Sequence, residues 1–407
     1  MLNNILDSAN NIATSKTRPK NNGCWWLMLP VLILLGGLIT AIYFAIKFKQ
    51  ENQTCICPGS ETSENIPKGP YQVVDNLRGI DLDPKYGHFE YFTGADPTHG
   101  SVNYDKHEDL LVPLSKGSLQ INIGNIEKFG EVHRAIRLTS KKSYQKGLFI
   151  IDMQRMPAGA GLWPAWWLTS AENGATNTWA CGGEIDIMES VNSDNHESVK
   201  SWAGKNTYNA ATLHTNELPD GSKCMQDGIL PEEDNDCQAP GGNIDKACGC
   251  NYKEGGDKNI CPYKGCGYKF PSDNSAGYKF NEDGGGVYAM ELTYPDNQVT
   301  IWFWSRKDPL MPKTWEQPDP SHWKTQEGNS IKFKPCPGHF KNLKMVLNTT
   351  LCGDWAGSVW NGPSGDYAQI VQNKKDCHGA VTDPNYNDRL VKNGSWIINW
   401  IRVYEKD

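Results

Sequence analysis

The chain is poor in charge. Only 21% of its 407 residues are Asp, Glu, Lys or Arg, and they balance to a net −7. No strongly basic stretch stands out, which argues against nucleic acid as a partner. There is no internal repeat and no long amphipathic pattern, so the chain reads as short strands and turns rather than helices. Paired C-x-x-C spacing is missing, and so is an acidic loop of the kind that binds calcium. No A-x-A cleavage site follows the single long apolar run, as it would after a removable signal peptide.

What is abundant points the same way. The chain carries 40 Gly and 24 Pro, spread among short apolar runs. Gly147 to Met153 reads as a buried strand, and Val287–Tyr294 with Val299–Trp304 as a hairpin. Leu343–Asn348 and Trp396–Tyr404 read as later strands. Tryptophan is unusually frequent, at 15 residues. Its rings either fill a core or line flat apolar platforms at a surface.

The N-terminal part divides differently. Cys24 to Ile46 carries no charge and is long enough to cross a bilayer as a helix. Residues 1–23 then read as a cytoplasmic tail, 24–46 as a transmembrane signal anchor, 47–69 as a stalk and 70–407 as the folded domain. Of the 13 cysteines, all but Cys24 follow the span, which suits disulfides in an oxidising compartment. Asn52, Asn348 and Asn393 head glycosylation sequons on the same side. The expected topology is a type II single-pass membrane protein with a lumenal or extracellular domain. Residues 215–278 hold six cysteines: Cys224, Cys237, Cys248, Cys250, Cys261 and Cys266. A metal site is one reading. A long surface loop stapled by disulfides fits the oxidising compartment better.

Three carboxylates stand close together at Glu184, Asp186 and Glu189. Glu184 and Asp186 share a face of a strand, whereas strict alternation turns Glu189 away. One extra residue, a β-bulge around Ile187-Met188, returns Glu189 to that face. The two glutamates would then lie roughly 13 Å apart at Cα. Leaning together, their carboxyls could reach about 5–6 Å, near the spacing at which a pair of acids cleaves a glycosidic bond with retention. An ordinary half-solvated strand would also alternate acids with apolar residues.

The surroundings favour chemistry. Upstream lie GLWPAWW at 161–167 and Trp179; TLHT at 212–215 and NTTLCGDWAG at 348–357 follow. With DPTHGSVNY at 96–104, RAIRLTSKKSY at 134–144, GGEIDIMESVN at 182–192, GGGVYAMELT at 284–293 and WIRVYE at 400–405, these segments span most of 70–407. Together they resemble glycoside hydrolase family 16, of the fungal-type endo-1,3(4)-β-glucanases or laminarinases.

The resemblance implies an all-β, concanavalin A-like jelly-roll sandwich of two antiparallel sheets with a concave glucan-binding cleft. It implies Glu184 as nucleophile, Glu189 as acid/base and Asp186 as their assistant, with no cofactor and no metal. It matches Trp167, Trp179 and Trp355 to sugar-stacking positions, and His214 and Asn192 to cleft positions. His214 also reads as a buried, hydrogen-bonded histidine, and Asp354 as an organiser of the loop that presents Trp355. Trp163 and Trp166 flank Pro164 and read as core. The chain departs from the family pattern at Ala160, where a cysteine is frequent, around Cys377, and in the lengths of the loops after Asn192. A β-glucan polysaccharide is the expected partner, with hydrolysis of β-1,3 or mixed β-1,3/1,4 linkages as the expected reaction. Glucan transglycosylation is the nearest alternative. A glucan-binding receptor without chemistry is a further one, which the presence of both glutamates disfavours.

Overall fold

The computed structural model describes residues 69–171, 183–194, 207–215, 224, 266–360 and 376–406. All of them lie in the unit Lys68–Asp407. The tail, the apolar run 24–46, the stalk, Asn52, Trp179 and most of the cysteine-rich loop lie outside the described residues. Among the described residues no helix is long and apolar enough to cross a membrane.

Alternating apolar side chains build two large sheets. The first runs Ser330–Lys332, Val299–Ser305, Gly286–Leu292, Gly147–Arg155, Trp396–Glu405, Leu119–Ile121, Leu111–Pro113, with Gln72–Arg78 also paired to Trp396–Glu405. The second runs Cys266–Lys269, Ala210–His214, Glu184–Glu189, Leu162–Ser170, Leu343–Leu351, Arg137–Tyr144, Phe89–Tyr91. Pairing within both is antiparallel, as in the register of Gly286–Leu292 against Val299–Ser305. A small third sheet, Gly94–Ala95, Val102–Tyr104 and His133–Ala135, includes one parallel pair. The expected all-β sandwich and the expected hairpin are therefore present.

The core lies between the sheets. Phe149, Ile151 and Met153 of the first sheet pack with Trp166, Leu168, Ile185, Met345 and Leu347 of the second. Fully burying one such side chain stabilises the fold by about 1.5–3 kcal/mol. The first sheet buries its other face as well. Trp302 and Trp304 there pack edge-on against Trp315 and Trp323, with ring centroids 5.1–5.7 Å apart. Much of the tryptophan thus serves packing far from the acids.

Among the described residues two disulfides join separate segments, Cys224–Cys336 and Cys352–Cys377. Cys224 therefore bridges out of its loop rather than within it. Helix Pro384–Asn393 starts on an Asp383 cap that accepts from the Asn385 N–H, with Pro at its first position.

Candidate active site

The bulge sits where the spacing requires it. Along the Leu162–Ser170 strand, Trp167 faces Asp186, Trp166 faces Met188 and Ala165 faces Glu189, leaving Ile187 as the extra residue. Ile185, Ile187 and Met188 are fully buried in the core. Glu184, Asp186 and Glu189 consequently share the opposite, outer face. Gly183, just before them, has φ 95°, and a Cβ there would lie 2.5 Å from the His339 carbonyl oxygen. Only glycine enters the strand this way.

The backbone groups freed by the bulge meet one side chain. Asn209 Oδ1 accepts from the Glu189 N–H at 2.7 Å, and its Nδ2 donates to the Ile187 carbonyl at 2.9 Å. Nothing in the spacing of acids and aromatics marks this residue.

The three acids differ in environment. Asp186 is 3% exposed, and burial pushes its carboxyl up to about 8. His214 pairs with Glu184 in register, and its Nε2 lies 3.1 Å from Asp186 Oδ2 and 4.0 Å from Glu184 Oε1. A protonated imidazole at that distance acts against the effect of burial. Glu189 keeps a little solvent contact but is ringed by protein atoms. Burial and the nearby Asp186 raise its carboxyl well above the ordinary range, while the Trp163 hydrogen bond and His214 oppose them. Asp186 and Glu189 therefore titrate as a pair, each carboxyl held above its ordinary range.

Trp163 belongs to this site rather than to the core. Its Nε1 donates to Glu189 Oε1 at 2.7 Å, and its ring stands at 90° to Trp355, centroids 5.7 Å apart. Trp166, one position from Asp186's partner Trp167 and so on the opposite face, is the one that is fully buried. Trp355 rides on the turn Gly353–Gly357. The Asp354 N–H donates to the Thr98 carbonyl and the Cys352 N–H to the Gly161 carbonyl, while Cys377 bonds Cys352. The Asp354 carboxylate meets His99 Nδ1 at 3.0 Å.

Trp167 lies on the same face, 4% exposed, with its Nε1 donating to Asn348 Oδ1 at 2.7 Å. The Arg137 guanidinium is wedged between the rings of Phe92, at 4.5 Å, and Trp167, at 5.0 Å.

One expected role is corrected by the geometry. Asn192 is fully buried, its Oδ1 accepting from the Gly161 N–H and its Nδ2 donating to the Ala356 carbonyl. It braces the Trp355 turn from behind and offers no amide to a cleft. Asn348 sits mid-strand, accepting from Trp167 and donating to the Tyr104 hydroxyl at 3.2 Å. Its side chain is half-buried, with the amide engaged on both sides. Asn393 ends a helix, half-buried.

Glu184, Asp186 and His214 each offer a donor atom within 4.8 Å of the others, and could converge on a cation. The same atoms suit hydrogen bonding among an acid, an acid and an imidazole.

A family model described as the XgeA-like catalytic GH16 domain matches residues 89–404. An endo-1,3(4)-β-glucanase of Emericella nidulans is 30% identical over 352 residues, covering 82% of this chain and 47% of that protein. A probable endo-1,3(4)-β-glucanase of Aspergillus niger is also 30% identical, covering 82% of this chain and 40% of its own. The chain thus spans less than half the length of these curated relatives. Among solved structures, laminarinase 16A of Phanerochaete chrysosporium, holding β-glucans in donor and acceptor sites, is 27% identical with a TM-score of 0.60. The match covers 82% of this chain and 99% of that one. An elongating family 16 β-1,3-glucosyltransferase is 30% identical with a TM-score of 0.61, covering 82% of this chain and 100% of its own.

Proposed function

The chain belongs to glycoside hydrolase family 16, and from that premise we propose that it cleaves β-1,3 or mixed β-1,3/1,4-glucans internally, with retention. The observation that carries the reading is the bulged strand, which sets Glu184 and Glu189 on one face with Asp186 between them. In this mechanism Glu184 attacks the anomeric carbon while Glu189 donates its proton to the leaving oxygen. The raised affinity of Glu189 for its proton at neutral pH suits a general acid. Once the leaving sugar departs, the carboxylate of Glu189 takes a proton from water, which opens the glycosyl ester on Glu184. Asp186, 3.1 Å from His214 Nε2, keeps the neighbourhood between the two glutamates polar. Trp163 and Trp355 supply apolar ring faces and edges for glucose units.

The test is Glu184→Gln, assayed on laminarin and lichenan with linkage analysis of the products. Hydrolysis is expected to vanish while glucan binding persists. Near-normal turnover by the variant would remove Glu184 from the nucleophile's role.

A second reading is favoured by the similarity to the elongating glucosyltransferase. A sugar hydroxyl can intercept the glycosyl ester in place of water. Mass spectrometry of products at high acceptor concentration separates the two, because only transfer yields chains longer than the donor.

A further inference from the structure

A β-bulge takes a residue out of the ladder and leaves backbone groups that need other partners. Here those groups are the Ile187 carbonyl and the Glu189 N–H, and a single side chain satisfies both. The amide of Asn209 presents one acceptor and one donor, as a residue of a neighbouring strand would. Asn209 is fully buried. Its own N–H donates to Ser275 Oγ at 2.9 Å, and its carbonyl accepts from the Phe270 N–H at 3.0 Å. Ser275 is itself held, because the Tyr288 hydroxyl donates to its carbonyl. The clamp is therefore fixed to the strand-edge segments on one side and to the bulge on the other.

The geometry has a consequence for the acid face. The Glu189 carboxyl hangs from the backbone unit whose N–H Asn209 holds, and Trp163 holds its Oε1. We propose that Asn209 is a positioning residue which holds the bulge open and so aims the Glu189 carboxyl at the leaving oxygen. This rests on reading Glu189 as the acid/base. Without the clamp, the Ile187 carbonyl and Glu189 N–H would turn toward other partners, and the carboxyl would move with them. A displacement of about 1 Å at a proton donor costs roughly 100-fold in rate.

Leaving groups separate this role from a merely structural one. Laminarin has a poor leaving group that needs protonation; 2,4-dinitrophenyl β-laminaribioside does not. For folded Asn209→Ala, kcat on laminarin should fall roughly 10- to 100-fold with KM little changed. Single-turnover glycosylation by the dinitrophenyl substrate should change less than about 3-fold, because that step draws little on the acid. Equal losses on both substrates, or an unchanged kcat on laminarin, would overturn the proposal. If Asn209→Ala does not fold, the near-isosteric Asn209→Asp carries the same comparison. It keeps an acceptor for the Glu189 N–H and loses the donor to Ile187. Glu189→Gln is run in parallel. If it shows the leaving-group dependence and the Asn209 variants do not, the clamp role fails alone. If Glu189→Gln shows none, the acid/base reading fails and the proposal falls with it.

Discussion

Replacing Trp163 by Phe keeps an aromatic ring beside Trp355 and removes one N–H from Glu189. The hydrogen bond in question is 2.7 Å long and ends on Oε1. A hydrogen bond to a charged acceptor contributes about 1.5–3 kcal/mol, and one to its neutral form about half that. The bond therefore favours the carboxylate over the acid by about 1–1.5 kcal/mol. One pKa unit corresponds to about 1.4 kcal/mol, so losing the bond should raise the proton affinity of Glu189 by about one unit. The sign follows from the donor: an N–H stabilises the charged form, and its removal favours the protonated one. A general acid works while protonated, so the alkaline limb of kcat/KM should move up by about one pH unit. The absolute position of that limb belongs to Asp186 and Glu189 together, but the shift is a difference. Initial rates of laminarin cleavage from pH 4 to 10, for wild type and a folded Trp163→Phe variant, measure it. A limb that stays in place or moves down would refute the assignment of Glu189 as acid held by Trp163.

Two further outcomes follow from the same site. Burial raises the Asp186 carboxyl from 3.8 to about 8, so the folded state keeps a proton that the unfolded chain releases. The contribution of Asp186 to stability is then fully present below about pH 4 and is lost as pH rises to about 8. Asp186→Asn removes that slope. Denaturant unfolding should find the variant gaining on wild type between pH 5 and pH 8, and parallel curves would show that Asp186 is not the group responsible. The Cys352–Cys377 bridge spans a sequence separation of 25 and anchors the turn that carries Trp355. Loop-closure entropy predicts that Cys377→Ser lowers the unfolding free energy by roughly 3 kcal/mol. KM for laminarin should rise several-fold with a smaller change in kcat, whereas an unchanged KM would show that the turn holds its shape without the bridge.

Much of the fold was legible because strands on one core must alternate. Gly147–Arg155, Gly286–Leu292 and Trp396–Glu405 each carry apolar residues that no exposed segment would. The bulge was legible too, since Glu184 and Glu189 cannot share a face of a regular strand. What alternation cannot reveal is a partner reached across strands. Disulfide partners such as Cys224 and Cys336, separated by 112 positions, are of this kind. So is Asn348, whose sequon says nothing of Trp167 on one side and Tyr104 on the other.

Trp163 is the instructive case, because its signal was in the pattern. Trp163, Ala165 and Trp167 alternate along one strand, so assigning Trp167 to the acid face commits Trp163 to it as well. Pro164 between the tryptophans changes none of this parity, and Trp166 takes the core face alone. Asn209 had no such signal. Its value depends on where the next strand loses a residue from register, and it lies outside both the acid motif and the Thr212–Thr215 segment. A clamp of this kind becomes visible only when every backbone donor and acceptor of the bulge is assigned a partner. That accounting turns Asn209 from an unremarked loop residue into the group on which the direction of Glu189 depends.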